Sequence, residues 1–582
     1  MASERADAVG TSPRVLIDRK RLALALLITV WVAAGLFGRE PWKPDEAYSF
    51  GLVTHIMHTG DWVVPTLAGE PFMEKPPVFF ITAALFAQAF DAVLSVPDAA
   101  RLACAFYAAL TLLFVGLATR VLYGREAALG AVLLLMGCIG YFHTAHLLVT
   151  DNALIAGVAI ALYGFAAHAQ RPLLAGIALG TGAGVAFLAK GLLGPGLLAL
   201  TALALLAAPA WRTRAYLRTL AIALGAFAPW ALIWPLALYE RSPALFHEWL
   251  VVNNFGRFTG TADLGPEHDH LMYAKILPLF ALPVLPLALW SGWRAFQRRD
   301  ARILMPAVAS GVVFAVLSSA CNARYVYAMP ILVPLAIAAG PGVAELPRVA
   351  ARAFLWLALS LAAAAALILW AGWAALLADW PAGVVQTLLA FRPGFAPAVH
   401  WGLVLAAVAA TIGAMLALRA ARGTRLAMPL AWALAATLPW TLFFTLWLAY
   451  ADYGNSYRGL IAELEKRLPA GTHCVANRDL GEPQRAMLEY YAGIVTRAEA
   501  SVEGKDCELL LVQQGPYEPL PAHERAWLPL WSGARPGDVN ERFWLFGSTQ
   551  LVAQAEQRKV DVAIRVARRV SATRKRGAAA GS

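Results

Sequence analysis

Long apolar runs alternate with short polar connections from residue 22 to about residue 450. A helix that crosses the hydrocarbon core of a bilayer needs about twenty apolar residues. Runs of roughly that length lie at 22–38, 99–122, 126–143, 151–168, 172–189, 191–209, 215–238, 273–293, 302–318, 324–341, 352–378, 400–419 and 428–450. The pattern predicts an α-helical polytopic membrane protein with about thirteen transmembrane helices.

The composition agrees with a bilayer as the solvent. Of the 582 residues, 59% are hydrophobic and only 15% are charged, which is too little charge for the surface of a soluble protein of this size. The net charge of +11 comes from short basic clusters between the apolar runs. That distribution is typical of loops beside anionic membrane lipid, and it argues against a nucleic-acid partner.

The same basic residues predict the orientation. With a cytoplasmic N-terminus (1–21), every short inner loop between spans is basic, as the positive-inside rule requires. The arginines of these loops are Arg120, Arg125, Arg171, Arg212, Arg214, Arg218, Arg294, Arg298, Arg299, Arg302, Arg348, Arg352, Arg419, Arg422 and Arg425. Counting the short apolar segment 78–90 as a span would invert this pattern, so we expect it to lie at the outer interface.

The predicted organisation is a transmembrane domain (22–450) with large outer loops at 39–98 and 239–272, followed by a periplasmic region (451–564). In that region strand-like runs alternate with a helical pattern over 482–491, which predicts a small α/β domain. Its Cys474 and Cys507 can form a disulfide if the region faces the periplasm, or remain apart as thiols. The basic, Gly/Ala-rich segment 565–582 is predicted to be a disordered tail.

Several charged residues stand at the outer ends of the predicted spans, where charge is costly; an ionisable group near a helix centre costs about 2.5–3.5 kcal/mol. In the first outer loop, Asp45 and Glu46 are adjacent, and Glu74 and Lys75 follow. A solvated helix cap is the simpler explanation for the first pair. The prolines and tryptophans around it favour a rigid segment on the membrane surface.

Three further charges lie at the same side of the membrane. Asp151 follows Thr150 at the outer start of a span, where the two could serve only as an N-cap. Lys190 has long apolar runs on both sides and could simply extend its amine to the interface. Arg324, followed by Tyr325, opens a span on the side where the positive-inside rule disfavours arginine.

The second long outer loop carries Arg257 and the pair His268 and His270 on either side of Asp269. The histidines could bind a metal or a phosphate, or belong to a solvated loop. His-x-His without further ligands is a weak metal signature. No cofactor is required by the pattern, and dependence on a divalent metal is left open.

Together these residues place a cationic cluster among carboxylates on one face of the membrane, which suits the phosphate of a lipid whose tail stays in the bilayer. The candidate catalytic residues are Asp45, Glu46, Glu74 and Asp151. The candidate phosphate-binding residues are Lys75, Lys190, Arg257, Arg324, Tyr325, His268 and His270.

The order of these motifs over about residues 20–345 resembles the protein O-mannosyltransferase and aminoarabinose transferase superfamily. The resemblance rests on Pro44-Asp45-Glu46 with Tyr48, Gly60-Asp61-Trp62, Glu74-Lys75-Pro76, Thr150-Asp151, Leu188-Ala189-Lys190-Gly191, Arg257-Phe258 and Arg324-Tyr325. It implies the type C membrane glycosyltransferase fold and polyprenyl-phosphate sugars as donors. It also implies that Asp45 lies at the reaction centre, that Glu74 and Lys75 line it, and that Lys190 and Arg324 hold the donor phosphate.

Two positions depart from the family pattern. Ala47 stands where a larger polar residue is usual, and the aromatic pair expected after the histidine is reduced to Tyr273. The choice between His268 and His270 therefore stays open.

The expected activity is that of an inverting glycosyltransferase of the bacterial inner membrane. It would move a sugar from a polyprenyl-phosphate carrier to a periplasmic acceptor, and the motif layout favours a lipid A-type glycolipid. One alternative is a protein acceptor. Others are a transporter or flippase of lipid-linked sugars and a scaffold. Transporters usually carry inverted repeats and ionisable groups near mid-membrane, whereas here the sequence has no evident repeat and the charges gather on the outer face.

Overall fold

The computed structural model describes residues 13–261, 269–321, 323–469, 474–515, 527–549 and 551, and for residues 13–21 it describes the backbone alone. Most of this chain is helical. The first ten helices are α1 (Pro13–Ala33), α2 (Asp45–Thr59), α3 (Val78–Phe90), α4 (Val96–Tyr123), α5 (Arg125–Met136), α6 (Ile139–Phe142), α7 (Asp151–Ala167), α8 (Pro172–Lys190), α9 (Leu193–Leu206) and α10 (Arg214–Arg241). They are followed by α11 (Pro243–His247), α12 (Arg257–Thr259), α13 (Met272–Phe280), α14 (Val284–Arg298), α15 (Leu304–Ser319), α16 (Met329–Glu345), α17 (Arg348–Ala378), α18 (Ala382–Phe391), α19 (Trp401–Ala421), α20 (Ala427–Leu446), α21 (Leu448–Asn455) and α22 (Arg458–Glu465).

The prediction of a polytopic helical membrane protein is confirmed. Within the described ranges, eight helices are long and apolar enough to cross a membrane, or up to ten if each of two bent helix pairs is one span. The bends are 64° after α5 and 97° between α13 and α14. Further apolar helices, including α3, α7 and α9, are shorter than the length of a full span. The count of about thirteen spans therefore stays a prediction.

The transmembrane helices pack closely through small residues. A Cβ atom on Gly157 of α7 would lie 2.6 Å from the carbonyl oxygen of Gly182 in α8. A Cβ on Gly176 of α8 would lie 2.6 Å from the Cβ of Ile222 in α10. Side chains of this size allow backbones to approach where no hydrophobic effect drives helices together. The arrangement fixes the ends of α7 and α8, which carry two of the candidate site residues.

The two predicted outer loops contain helices of their own. The first holds α2, a short hairpin of β1 (Thr66–Leu67) and β2 (Glu70–Pro71), and α3. The second predicted loop includes the last residues of α10, and then α11, a π-helix (Glu248–Gly256) and α12. Such π-helices are rare and often occur at functional sites.

Residues 474–515 and 527–548, called the C-terminal domain below, form a five-stranded sheet in the order β4-β3-β5-β7-β6. Its elements are β3 (Val475–Arg478), α23 (Glu482–Ala492), β4 (Arg497–Ala498), α24 (Val502–Lys505), β5 (Leu509–Gln514), β6 (Trp527–Gly533) and β7 (Arg542–Ser548). Strands β3, β4 and β5 are parallel, and β7 is antiparallel to β5 and β6. The prediction of a small C-terminal α/β domain is confirmed. A disulfide joins Cys474 to Cys507, which decides between the two alternatives for these cysteines.

The C-terminal domain packs directly on the first outer loop. Helix α23 lies against α2, where a Cβ on Gly51 would be 2.6 Å from the Cβ of Ala486. Only glycine at position 51 permits this approach. The helix that begins with Asp45 is thus held between the transmembrane helices and the C-terminal domain.

Candidate active site

Asp45 is the first residue of α2. A carboxylate at a helix N-terminus is stabilised by the helix dipole and by free backbone N–H groups. The side chain is half-buried, and in the described part of the chain no residue donates a hydrogen bond to its carboxylate or forms an ion pair with it. The group is therefore available to a substrate.

Glu46, the next residue, has a different environment. It is buried, and the Arg39 guanidinium donates hydrogen bonds to both of its carboxylate oxygens, with 2.7 Å from Nη2 to Oε1. The backbone N–H of Leu148 donates to the same carboxylate at 3.1 Å, and Arg101 lies at 3.4 Å. Burial acts to raise the pKa of Glu46, but the charges of Arg39 and Arg101 outweigh it and hold the pKa at about 2. Such a carboxylate anchors the start of α2 and is already fully engaged by protein groups.

Tyr48 and Lys75 form a second close pair. The Lys75 amine donates a hydrogen bond to the Tyr48 hydroxyl and lies 4.6 Å from the centre of its ring. Burial raises the pKa of Tyr48, Lys75 partly opposes this rise, and the charges of Asp45 and Asp151 add to it. Burial acts against the charged form of Lys75, but Tyr48, Glu74 and Asp151 hold its pKa above the ordinary value. At neutral pH the pair is a neutral phenol and a charged ammonium.

Asp151 and Lys190 meet across the ends of α7 and α8. Lys190 Nζ donates to Asp151 Oδ1 at 2.7 Å, and both side chains are nearly buried. The Lys190 amine also lies 4.1 Å from the ring centre of Tyr327. Thr150 makes no capping hydrogen bond with its side chain. The simpler N-cap explanation for this pair is therefore wrong for Thr150, and the principal partner of Asp151 is Lys190.

Glu74 and Arg257 form the third pair, with 3.1 Å between Oε2 and Nη2. Glu482 of α23 approaches the same place from the C-terminal domain. Burial, and after it the charge of Glu74, raises the pKa of Glu482, while Lys75 and Arg257 act in the opposite direction. The C-terminal domain therefore adds a carboxylate to this cluster.

The remaining candidate residues are Arg324, Tyr325, His268 and His270. Arg324 and Tyr325 are exposed, and the Arg324 carbonyl accepts a 3.3 Å hydrogen bond from Tyr273. His270 contacts the carbonyl oxygen of Ser318 at 3.0 Å, and His268 lies outside the described residues. Within the ranges that the structure describes, no group of three or more His, Cys, Asp or Glu side chains is placed to hold a metal ion.

The structure thus brings Lys75, Asp45 and Asp151 near Tyr48, and Lys190 joins them through its pair with Asp151. The Glu74–Arg257 pair lies close enough for Glu74 to act on Lys75. Sequence reasoning missed Tyr327 and Glu482 as members of this group. Tyr48 was part of a motif but not a candidate, although an aromatic residue three positions after Asp45 lies on the same side of a helix. Nothing in the local sequence marks Glu482, because only the docking of α23 on α2 brings it near.

The arrangement defines a class: an integral membrane protein with cations and carboxylates clustered where its first outer loop meets the transmembrane helices. Residues 74–234 match the family described as dolichyl-phosphate-mannose-protein mannosyltransferase. An undecaprenyl phosphate-alpha-4-amino-4-deoxy-L-arabinose arabinosyl transferase of Sodalis glossinidius is 30% identical over 334 residues, which are 54% of this chain and 57% of that protein. The corresponding protein of Yersinia enterocolitica is 27% identical over 330 residues, with the same coverage. The chain matches little more than half the length of these curated relatives.

The fold is similar to that of ArnT from Cupriavidus metallidurans, solved with bound undecaprenyl phosphate. The TM-score is 0.66 at 18% identity, and the match covers 91% of this chain and 98% of that protein. The family match, the relatives and this fold all agree with the resemblance to the protein O-mannosyltransferase and aminoarabinose transferase superfamily.

Proposed function

We propose that this protein is an inverting glycosyltransferase that moves a sugar from a polyprenyl-phosphate carrier to an acceptor at the outer face of the membrane. The observation that carries the proposal is that Tyr48 bonds to Lys75 and lies within electrostatic reach of Asp45 and Asp151, and that Asp151 in turn pairs with Lys190. This arrangement occurs in a fold like that of a protein solved with undecaprenyl phosphate. The names of the relatives point to the same class of donor.

Donor binding is assigned to the cations. The phosphate of a polyprenyl phosphate stays at the membrane surface while its tail lies in the lipid. Lys75 donates a hydrogen bond to Tyr48 and Lys190 pairs with Asp151, so each amine is held in a position from which it can also contact an anionic donor group. Arg257, and the exposed Arg324 with Tyr325, would complete the phosphate contacts at the edge, and we keep His268 and His270 as weaker candidates.

In the reaction, the acceptor oxygen forms a bond to the anomeric carbon, and the bond from that carbon to the phosphate oxygen breaks. The phosphate leaves with the electron pair, and preorganised cations stabilise the developing charge, which is usually the largest catalytic contribution. A hydroxyl acceptor also loses a proton, and Asp45 is the proposed base, for about 10²–10⁴-fold. A phosphate acceptor is already ionised, and Asp45 would then orient it.

One displacement from the face opposite the leaving phosphate inverts the anomeric centre. We propose Glu46 as a positioning residue for Asp45, since protein groups already occupy both of its oxygens. Glu74 is proposed to orient Arg257, and Asp151 to orient Lys190.

A lipid A-type glycolipid is the proposed acceptor, because the motif layout resembles that of the aminoarabinose transferases, and a protein acceptor is the alternative that the test distinguishes. The proposed setting is the bacterial inner membrane, with residues 1–21 cytoplasmic, the transmembrane domain over 22–450 and the region 451–564 periplasmic.

The test is transfer of radiolabelled sugar from polyprenyl-phosphate donors to lipid and protein fractions of the envelope. We expect label with the wild type and none above background with Asp45→Asn or Lys190→Met. Asp506→Asn and Lys466→Met are matched controls on the exposed surface of the C-terminal region and should label like the wild type. Label in the protein fraction would replace the glycolipid acceptor. If no donor gives label with folded wild type, the transferase proposal fails and a flipping assay should follow.

A further inference from the structure

The segment 39–44, called the approach segment below, connects α1 to the helix that carries Asp45. On its membrane side it is held by Arg101 of α4, which is buried. Arg101 Nη1 donates to the Arg39 carbonyl at 2.9 Å, and Nη2 donates to the Glu40 carbonyl at 2.8 Å. One face of the approach segment is therefore tied to the transmembrane helices.

The approach segment is also bound to the C-terminal part of the chain. The Asp452 carboxylate of α21 accepts hydrogen bonds from the Glu40 backbone N–H at 2.9 Å and from the Trp42 indole at 2.8 Å. The Glu40 side chain pairs with Arg458 at 3.0 Å and accepts from the Tyr491 hydroxyl at 2.8 Å. These contacts join positions more than 400 residues apart in sequence.

Lys43, whose side chain is 30% exposed, joins the approach segment to the C-terminal domain. Its Nζ lies 2.7 Å from Asp538 Oδ2 and 3.2 Å from Glu541 Oε1. The same two carboxylates bind Arg535, which is 2.6 Å from Glu541, and Glu541 also accepts from the Tyr457 hydroxyl at 3.1 Å. Both acidic side chains are only 6% exposed.

Lys43 supplies one of the two positive charges in the ion pairs of this cluster. Arg535 and Lys43 supply two positive charges, and Asp538 and Glu541 supply two negative charges. An uncompensated charge left in a buried site is strongly unfavourable. The Lys43 ammonium thus stabilises two nearly buried carboxylates of the C-terminal domain, which joins the approach segment to one defined place.

We propose that Lys43 is a positioning residue for Asp45. Its ion pair with Asp538 and Glu541 fixes the approach segment against the C-terminal domain, and the ring of Pro44 limits the backbone freedom between Lys43 and Asp45. The position of the Asp45 carboxylate is then determined by the C-terminal domain as well as by the membrane helices. The inference rests on the proposed function for the role of Asp45.

The test compares Lys43→Met, Lys43→Arg and Asp538→Asn in the full-length protein, measuring kcat and KM for the lipid-linked donor. A small misplacement of a catalytic group costs on the order of 100-fold. We expect Lys43→Met to lower kcat by about 10- to 100-fold while KM for the donor stays within roughly twofold. Lys43→Arg, which keeps the charge, should recover most of kcat.

A matched control is Arg478→Met, which removes an ion pair to Glu499, 2.7 Å in length and within the C-terminal domain. It should leave kcat unchanged even if it lowers Tm. The double variant Lys43→Met/Asp538→Asn should lose no more than the worse single variant, because both act on one pair. Wild-type kcat in Lys43→Met, an equal loss in Arg478→Met, or losses that multiply in the double variant would each overturn the proposal.

Amide hydrogen exchange gives a readout that does not depend on activity. The backbone amides in the first turn of α2, residues 45–49, should exchange faster in Lys43→Met than in the wild type or in Arg478→Met. If Lys43→Met fails to fold, Asp538→Asn takes its place in this comparison. Unchanged exchange in that turn would reject the positioning role. If folded wild type transfers no sugar, the proposed function fails, and exchange still decides whether Lys43 orders this turn.

Discussion

Lys190 and Asp151, 39 positions apart in sequence, share a hydrogen-bonded ion pair of 2.7 Å at the adjoining ends of two packed helices. Neither charge is exposed enough to be well solvated. Each group is therefore the nearest charged partner of the other, and the pair links the stability of the helix packing to the proposed binding of the donor phosphate.

The first prediction separates these two roles. Asp151→Leu leaves Lys190 buried without its partner, and breaking such a pair costs about 3–5 kcal/mol in the free energy of unfolding. The double variant Asp151→Leu/Lys190→Met removes both charges and should recover most of the lost Tm, measured by thermal unfolding in detergent. Sugar transfer should be lost in both. A double variant as unstable as the single one would show that the ion pair is not the cause.

Much of this site could be predicted because its residues violate local expectations. Lys190 and Arg324 are charges where the apolar pattern or the positive-inside rule disfavours them, so the sequence alone marks them. Tyr327 and Glu482 break no such rule. Their roles arise from packing between distant elements, namely the stacking of Lys190 on Tyr327 and the docking of α23 on α2.

The sequence alone determines neither the environment of Glu46 nor the number of spans. The sequence places Glu46 beside Asp45, but its two arginines come from positions 39 and 101, and only the folded chain shows that they surround it. The count of spans depends on how a membrane meets short or bent helices such as α7 and α13, and apolar run length does not determine that.

The second prediction concerns the pH dependence of stability through Glu46. Its pKa in the folded protein is about 2, below the ordinary value of 4.5. A lowered pKa means that Glu46 stabilises the fold fully above about pH 4.5 and that this contribution, about 3 kcal/mol, is lost as pH falls towards 2. Thermal unfolding between pH 7 and pH 3 should show the loss. Glu46→Gln should unfold at lower temperature at pH 7 and show a weaker pH dependence; an identical pH profile in the variant would contradict the assignment.

The third prediction tests the Tyr48 hydroxyl. Tyr48→Phe removes the group that receives the hydrogen bond from Lys75 and keeps the aromatic ring. A hydrogen bond to a charged group contributes about 1.5–3 kcal/mol, so we expect kcat/KM for the donor to fall roughly 10- to 100-fold. Because burial raises the pKa of Tyr48, the wild-type rate should show no loss from phenol ionisation up to about pH 9.

Tyr107→Phe is the matched control, since that hydroxyl is partnered by Thr82 at 2.8 Å in a pair without a charged group. It should keep kcat/KM within about twofold of the wild type. Equal losses in the two variants would indicate a general packing effect rather than a contribution of Tyr48 to the site.

The last prediction uses the disulfide between Cys474 and Cys507, which closes a segment containing α23. A disulfide of this kind contributes about 2–4 kcal/mol of stability. Reductant should therefore lower Tm of the wild type, and Cys474→Ser/Cys507→Ser should unfold at that lower temperature with or without reductant. Cys321 is an exposed free cysteine, so the comparison belongs in a Cys321→Ser background. Because disulfides persist in oxidising compartments, maleimide applied to denatured protein from cells without reductant should not label either position. Labelling of both would place the C-terminal domain in a reducing compartment and would contradict its proposed periplasmic location.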